Sequence, residues 1–434
     1  MEMKESTSMA EKSIVSNSKL IAIADAIREK TGKNDKISLD NMPIEIEGIQ
    51  SGSGDTLKMA LDARKSAKYL FDGAQTLTNV DEILSYNSTS SVTNTSYMFQ
   101  NCSSLITTPA LDTSSVTNME DMFSGCTSLM NVGKIDTSNV KYFTRMFQKC
   151  ESLVEAPEID ASNANNLASL FYNCKKLVSV SIKNFSSIAN NINNMFCNCE
   201  SLTEVPLLDT SGVTEMNSLF SGCKSLTNIP EMDTSNVTSG SYMFSGCKSI
   251  TAVPKLNFSK MRSTSSVFSG CSSLIEIPEL DTSSSTNMSD MFRSCDKLET
   301  IHGVDANKVT SSSGLSWMFA NSCNIKNLKI KNIRTDLIIG SNSFVPSFGE
   351  SLTLDSLIGV CKECIKHTSN VLKLRICQAN KDKLDSVYVK FVDPSVTEIA
   401  VGEKGEVEVC ESTDEGAMTM DAYMILKNWS LTLY

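Results

Sequence analysis

The peptides MFSGCTSLMNVGKIDTSNV (122–140) and LFSGCKSLTNIPEMDTSNV (219–237) are nearly the same, and their core M-F-x-x-C-x-S-L keeps returning along the chain. No other feature constrains the fold as strongly. Cysteines fall at Cys102, Cys126, Cys150, Cys174, Cys199, Cys223, Cys247, Cys271 and Cys295 in steps of 24 or 25 residues, and Cys323 follows after a step of 28. A phenylalanine runs ahead of them in the same rhythm, as at Phe99, Phe123 and Phe147, and Leu or Ile follows. Proline recurs seven residues after cysteine, at Pro109, Pro157, Pro206, Pro230, Pro254 and Pro278, and Asp-Thr-Ser comes next. LFDGAQTL at 70–77 is a degenerate first copy with Ala74 in the cysteine place, giving eleven copies.

A period of this length signals a solenoid, because one unit buries its apolar side only by stacking on its neighbours. Equivalent positions then form internal columns. Cysteine is small and apolar enough to fill a tight one. The fold class expected is an α/β repeat of about eleven ~24-residue coils. S-L-x-x-I-P-x-L supplies one strand per coil to a parallel sheet, and V-T-x-M-x-x-M-F makes the turn or short helical arc opposite. At about 4.8 Å between strands, eleven coils would measure roughly 50 Å.

The unit M-F-x-x-C-x-S-L-x-x-I-P-x-L-D-T-S-x-V-T-x-M resembles the BspA-like leucine-rich repeats of bacterial surface proteins, over residues 67–333. The resemblance implies a leucine-rich-repeat solenoid with a role in surface adhesion or recognition. It implies no particular partner, since one scaffold serves many.

Residues 1–50 read as a small helical module for attachment or oligomerisation. Leu20, Ile23, Ala24 and Ile27 share a helical face, and a second short helix carries Met42, Ile46 and Ile49. Its A-D-A-I-R-E-K-T-G…M-P-x-x-I-x-G-I pattern is similar to the N-terminal segment of structural proteins from phages of Gram-positive gut bacteria. Residues 51–66 are linker and N-terminal cap. Residues 334–434 form an α/β domain covering the last coil, with an amphipathic helix at 351–370, strands in VLKLRIC, SVYVKFV and GEVEVC, and a final helix and strand.

Chemistry finds few residues to work with. There are only two histidines, His302 and His367, and no phosphate-cradling or zinc-protease motif. The expectation is no enzyme and no cofactor. Cys361, Cys364, His367 and Cys377 have zinc-binding chemistry, but Leu354, Leu357, Ile358, Cys361, Cys364 and Ile365 make one helical stripe, the simpler reading. The column thiols are expected reduced. The Asp-Thr-Ser column reads as side-chain-capped turns, with a calcium ladder as the alternative. A net charge of −11 without a basic face argues against nucleic acid. No run approaches the ~20 apolar residues of a membrane span.

Two surface features are candidates for recognition. Glu155, Glu158, Glu204, Glu231, Glu276 and Glu279 form an acidic strip on the expected sheet. Tyr97, Tyr242 and Trp317 present aromatic rings suited to sugars or partner side chains. The functional expectation is a phage virion protein, of the tail, that binds a host-surface glycan or protein and joins other virion proteins through residues 1–50. A polar N-terminus without a signal-peptide core supports assembly in the host cytoplasm. The alternatives are a bacterial cell-surface adhesin and a capsid decoration or head fibre. A homo-oligomer is compatible with the chain, although no sustained heptads demand one.

Overall fold

The computed structural model describes residues 65–332, apart from 82–83, 85–88, 186–187 and 323, together with Ser356 and six short C-terminal strands. The N-terminal module, the linker up to residue 64 and the helix at 351–370, save Ser356, lie outside the described residues. So do the zinc-like cysteines and His367. The chain divides into two compact units, Met1–Leu208 and Asp209–Tyr434.

Each unit stacks successive coils on an aromatic column. In the first, Phe71, Phe99, Phe123, Phe147, Phe171 and Phe196 lie ring over ring, with centroids 5.2–5.8 Å apart and planes within 11°. In the second, Phe220, Phe244, Phe268, Phe292 and Phe319 repeat the arrangement at 5.7–5.8 Å. Methionines, leucines and valines of the repeat pack around these rings and are fully buried, as Met122, Leu129 and Val140 show. Where coils of the second unit carry the small residues Gly240, Thr264 and Ser285, larger neighbours fill in. Phe258 lies against Phe268 at 6.5 Å, and a Cβ on Gly240 would meet the Met261 sulfur at 2.9 Å.

The hydrogen bonding between coils corrects the expectation of one strand per coil. The most regular ladder is on the M-F side, and it is made of turns. Met98 and Cys102 donate back to Thr95 and Phe99, closing turns whose third residues, Tyr97 and Asn101, have φ of 61° and 59°. A positive φ at that position defines a type II turn. The intervening N–H groups of Thr95, Tyr97, Phe99 and Asn101 donate to Asn118, Glu120, Met122 and Ser124 of the next coil. Every second amide thus closes a turn and every other one joins coils, leaving no buried N–H unpaired along the arc. A helix would direct its amides along its own chain and could not join coils this way.

The other side is a fragmentary parallel sheet. In the first unit β1 (Thr107–Thr108) pairs with β2 (Asn131–Val132), and β3 (Ile159–Asp160) with β4 (Ile182–Lys183). In the second, β5 (Glu276–Ile277), β6 (Thr300–Asp305) and β7 (Asn327–Lys331) form one three-stranded sheet. Proline, which has no N–H for a ladder, limits some of these strands, although β2 and β4 are as short with Gly133 and Ser181 in the proline place. β1 and β5 stop at Pro109 and Pro278, and no strand is assigned around Pro206, Pro230 or Pro254. His302 stands in the proline place of its coil, and β6, which contains it, runs for six residues.

In the C-terminal region β8 (Lys373–Arg375), β9 (Tyr388–Lys390) and β11 (Val407–Val409) fall where strands are expected, and β13 (Ser430–Thr432) is the closing strand. β10 (Ile399–Val401) is additional, and β12 (Met418–Thr419) is a strand in the segment expected to be helical. They form a sheet ordered β10-β11-β9-β12 and a parallel pair β13-β8.

Candidate functional site

The residues that recur most faithfully are already occupied. Cys126, Cys150 and Cys174 each point a thiol at the carbonyl of the phenylalanine 27 residues earlier, at 3.0–3.2 Å. Cys199, Cys247, Cys271 and Cys295 do the same at 3.0–3.1 Å, and Cys102 reaches Phe71 at 3.0 Å. All ten described cysteines are free and buried. Burial pushes the Cys102 and Cys295 thiols up to about 12 and raises those of Cys126, Cys150 and Cys271 well above the ordinary thiol range. Such groups are neither nucleophiles nor metal ligands at neutral pH.

One assignment needs correction. The column position after Phe292 belongs to Ser322, three residues beyond Phe319, and not to Cys323, which lies outside the described residues. The Ser322 hydroxyl donates to the Phe292 carbonyl at 2.6 Å, where the other coils use a thiol.

The Asp-Thr-Ser column divides its work. Asp112, Asp136 and Asp160 accept the amide two residues on at 2.9–3.1 Å, and Asp209, Asp233, Asn257 and Asp281 repeat the turn. The Ser138 amide and hydroxyl hold the Asp136 carboxyl below its usual range. Threonine is the part that sequence reasoning missed. Buried Thr137 accepts the Asp160 amide at 2.7 Å and donates to the Asp160 carbonyl at 3.3 Å, and Thr113 and Thr282 span their own pairs of coils in the same way. The signal was the recurrence of threonine beside aspartate, at Thr113, Thr137, Thr210, Thr234 and Thr282. Among the described residues, no group of three His, Cys, Asp or Glu is placed to hold a metal ion.

The outward positions differ from coil to coil. Tyr97 is half-buried and stacks on Tyr69 at 4.7 Å, with the Lys68 ammonium 4.9 Å from the Tyr69 centroid. Burial, then Glu120 and Asp121, raise the Tyr97 phenol pKa. Along the same edge Arg145 grips buried Asp121 through Nε and Nη2 at 2.8–3.1 Å and reaches Glu120 at 2.9 Å. In the second unit Tyr242 is exposed, and the Arg293 guanidinium lies 5.6 Å from the exposed Trp317 ring. Tyr97, Tyr242 and Trp317 therefore sit in separate surroundings.

The acidic strip is partly neutralised. Lys183 pairs with Glu158 at 2.6 Å and Lys331 with Glu279 at 2.8 Å, while exposed His302 approaches Glu276 at 3.6 Å. Glu155, Glu204 and Glu231 are exposed.

The second unit also carries a trough of about 830 Å³. It is lined by the aspartate column, Asp233, Asp281 and Asp305, interrupted by Asn257, and by Lys255 and Glu279; Lys331, in register with Asp305, reaches Glu279 with its ammonium. Gly303 lies between Glu279 and Lys331, and a Cβ there would come 3.1 Å from the Glu279 Cγ.

A family model described as "Mycoplasma protein of unknown function, DUF285" matches residues 65–185, 165–276, 190–300 and 251–344. The chain belongs to the DUF285 family. These overlapping matches cover the stacked coils of both units, so the DUF285 signature is the repeat itself. No curated protein matches the chain. Three solved structures share the repeat character. A leucine-rich cell surface protein from Faecalibacterium prausnitzii is 20% identical over 58% of this chain and 78% of its own, with a TM-score of 0.31. A leucine-rich repeat protein from Bacteroides ovatus is 16% identical over 72% and 82%, with a TM-score of 0.34. The leucine-rich repeat protein of T. pallidum is 28% identical over 35% and 68%, with a TM-score of 0.27. At such scores the likeness carries no conclusion about partner or role.

Proposed function

We propose that this DUF285 chain is a non-enzymatic, adhesion-type repeat protein of the bacterial cell surface, holding a glycan or protein partner on the outward side chains of its coils. One observation supports it above the others: the repeated thiols and threonine hydroxyls are spent on joining coils and the repeated carboxylates on capping their own turns, while the outward positions differ from coil to coil. A scaffold with constant inner columns and varied outer ones suits recognition and offers little to catalysis. The resemblance to surface-protein repeats extends over residues 67–333. The phage resemblance rests on about 35 residues at 16–49, outside the described residues. The cell-surface reading is therefore preferred to the virion one.

The test is immunogold electron microscopy of intact and lysing cells of the source strain with antibody to the solenoid. Label on intact envelopes is the expected result. Label confined to phage tails or capsids would restore the virion reading, and label confined to the cell interior would remove both.

A further inference from the structure

We infer that the trough of the second unit binds a neutral, extended oligosaccharide. This deepens the adhesion reading and rests on it for its biological setting, but not for its chemistry. The argument begins with the carboxylates. Asp233, Asp281 and Asp305 each have Oδ1 fixed by the amide two residues on, at 2.9, 3.1 and 2.8 Å. The Ser283 hydroxyl and the Asn332 side-chain amide also donate to Oδ1 of Asp281 and Asp305, the Ser235 side chain holds Asp233 as well, and among the described residues no bond is made to Oδ2 of Asp281 or Asp305. Three of the four coils thereby hold a carboxylate in place without further ordering cost, which is what makes a polar surface competent to bind, and Asn257 breaks the row.

The mixed charge of the lining decides the ligand class. Lys255 and Lys331 bring cationic donors into the same trough as the carboxylates, Lys331 paired with Glu279. A polycation would meet Lys255 and Lys331, a polyanion would meet three aspartates, and each would suffer like-charge repulsion. A neutral chain of hydroxyls donates to the carboxylates and accepts from the ammonium groups, and so uses both. The trough runs along coils spaced at about 4.8 Å, giving roughly 15–20 Å of wall, enough for three or four sugar rings. A 1,4-linked hexose chain advances per ring by a distance close to that spacing, so successive rings meet successive coils. No aromatic ring lines the trough, so the apolar stacking that strengthens sugar binding is missing. A single site is then weak, in the millimolar range, and firm attachment comes from many copies acting together.

The experiment is saturation-transfer NMR on the full chain with cellotetraose and chitotetraose, and with tetralysine and tetraglutamate peptides as controls. At least one tetrasaccharide should bind saturably. Lys255→Ala and Asp281→Asn should each weaken it by about fivefold or more. Asp281→Asn keeps the turn, because Asn257 already makes the same turn one coil earlier. Absence of saccharide binding, binding unchanged in both variants, or binding of a charged peptide alone would overturn the inference. Envelope labelling without saccharide binding would sink the trough alone. Saccharide binding without envelope labelling would sink the surface reading and leave the trough intact.

Discussion

At the scale of single residues, this chain depends on small polar groups in an apolar stack. A buried hydroxyl or thiol is tolerated only when paired, and each column supplies its own partner. Thr137 is the clearest case, since it serves both the amide and the carbonyl of Asp160. Thr137→Val keeps the shape and leaves that amide unpaired, which should cost about 1–3 kcal/mol. Thr137→Ser should recover most of the loss. Urea unfolding of the three proteins checks this, and equal midpoints for valine and serine would show that the hydroxyl is idle. The thiol and aspartate columns were legible in the sequence because their residue types are nearly constant and their chemistry suggests a burial or a turn. Ser322 was not, because the nearby Cys323 took its place in a pattern read by residue type instead of by distance from phenylalanine.

At the scale of the coil, geometry and composition part company. Each coil needs left-handed residues five and one before its cysteine. Tyr97, Asp121, Arg145 and Ser169 fill the first place, and Asn101, Gly125, Lys149 and Asn173 the second. The first set has no residue type in common, so no propensity rule reveals it, whereas the second place is mostly Gly or Asn, the types that a positive φ favours. The column periodicity was visible all the same, because it is set by burial. Gly133 is a separate constraint, one of close approach. A Cβ there would sit 2.2 Å from the Pro109 carbonyl carbon, against backbone that cannot move aside as a side chain would. Gly133→Ala should therefore force coils apart and cost about 1–3 kcal/mol or more. Gly73 has open space around its Cβ position but a φ of 77°, so Gly73→Ala measures backbone strain alone, at about 1–2 kcal/mol. Thermal unfolding should show the Gly133 variant as the less stable of the two.

At the scale of the whole molecule, the buried thiols tie stability to pH in one direction. Their folded pKa values are raised, up to about 12 for Cys102 and Cys295, above an unfolded value near 9. The stabilisation is complete below pH ~9 and is lost as pH rises from there towards about 12, because the unfolded chain alone releases protons in that window. Urea midpoints should be flat from pH 7 to about pH 8.5 and fall steeply above pH 9, more steeply than for a protein without a thiol column. A flat profile to pH ~11 would show that the thiols are solvated.

The central claim is that what recurs in this chain holds coil to coil and is unavailable for chemistry. Alkylation of the native protein with iodoacetamide at neutral pH, read residue by residue by mass spectrometry without reductant, tests it most directly. Cys102, Cys126, Cys150, Cys174, Cys199, Cys223, Cys247, Cys271 and Cys295 should stay unmodified and unpaired in the folded chain and react only once it is unfolded. Rapid labelling of these thiols in the native state, or disulfides between coils, would contradict the account.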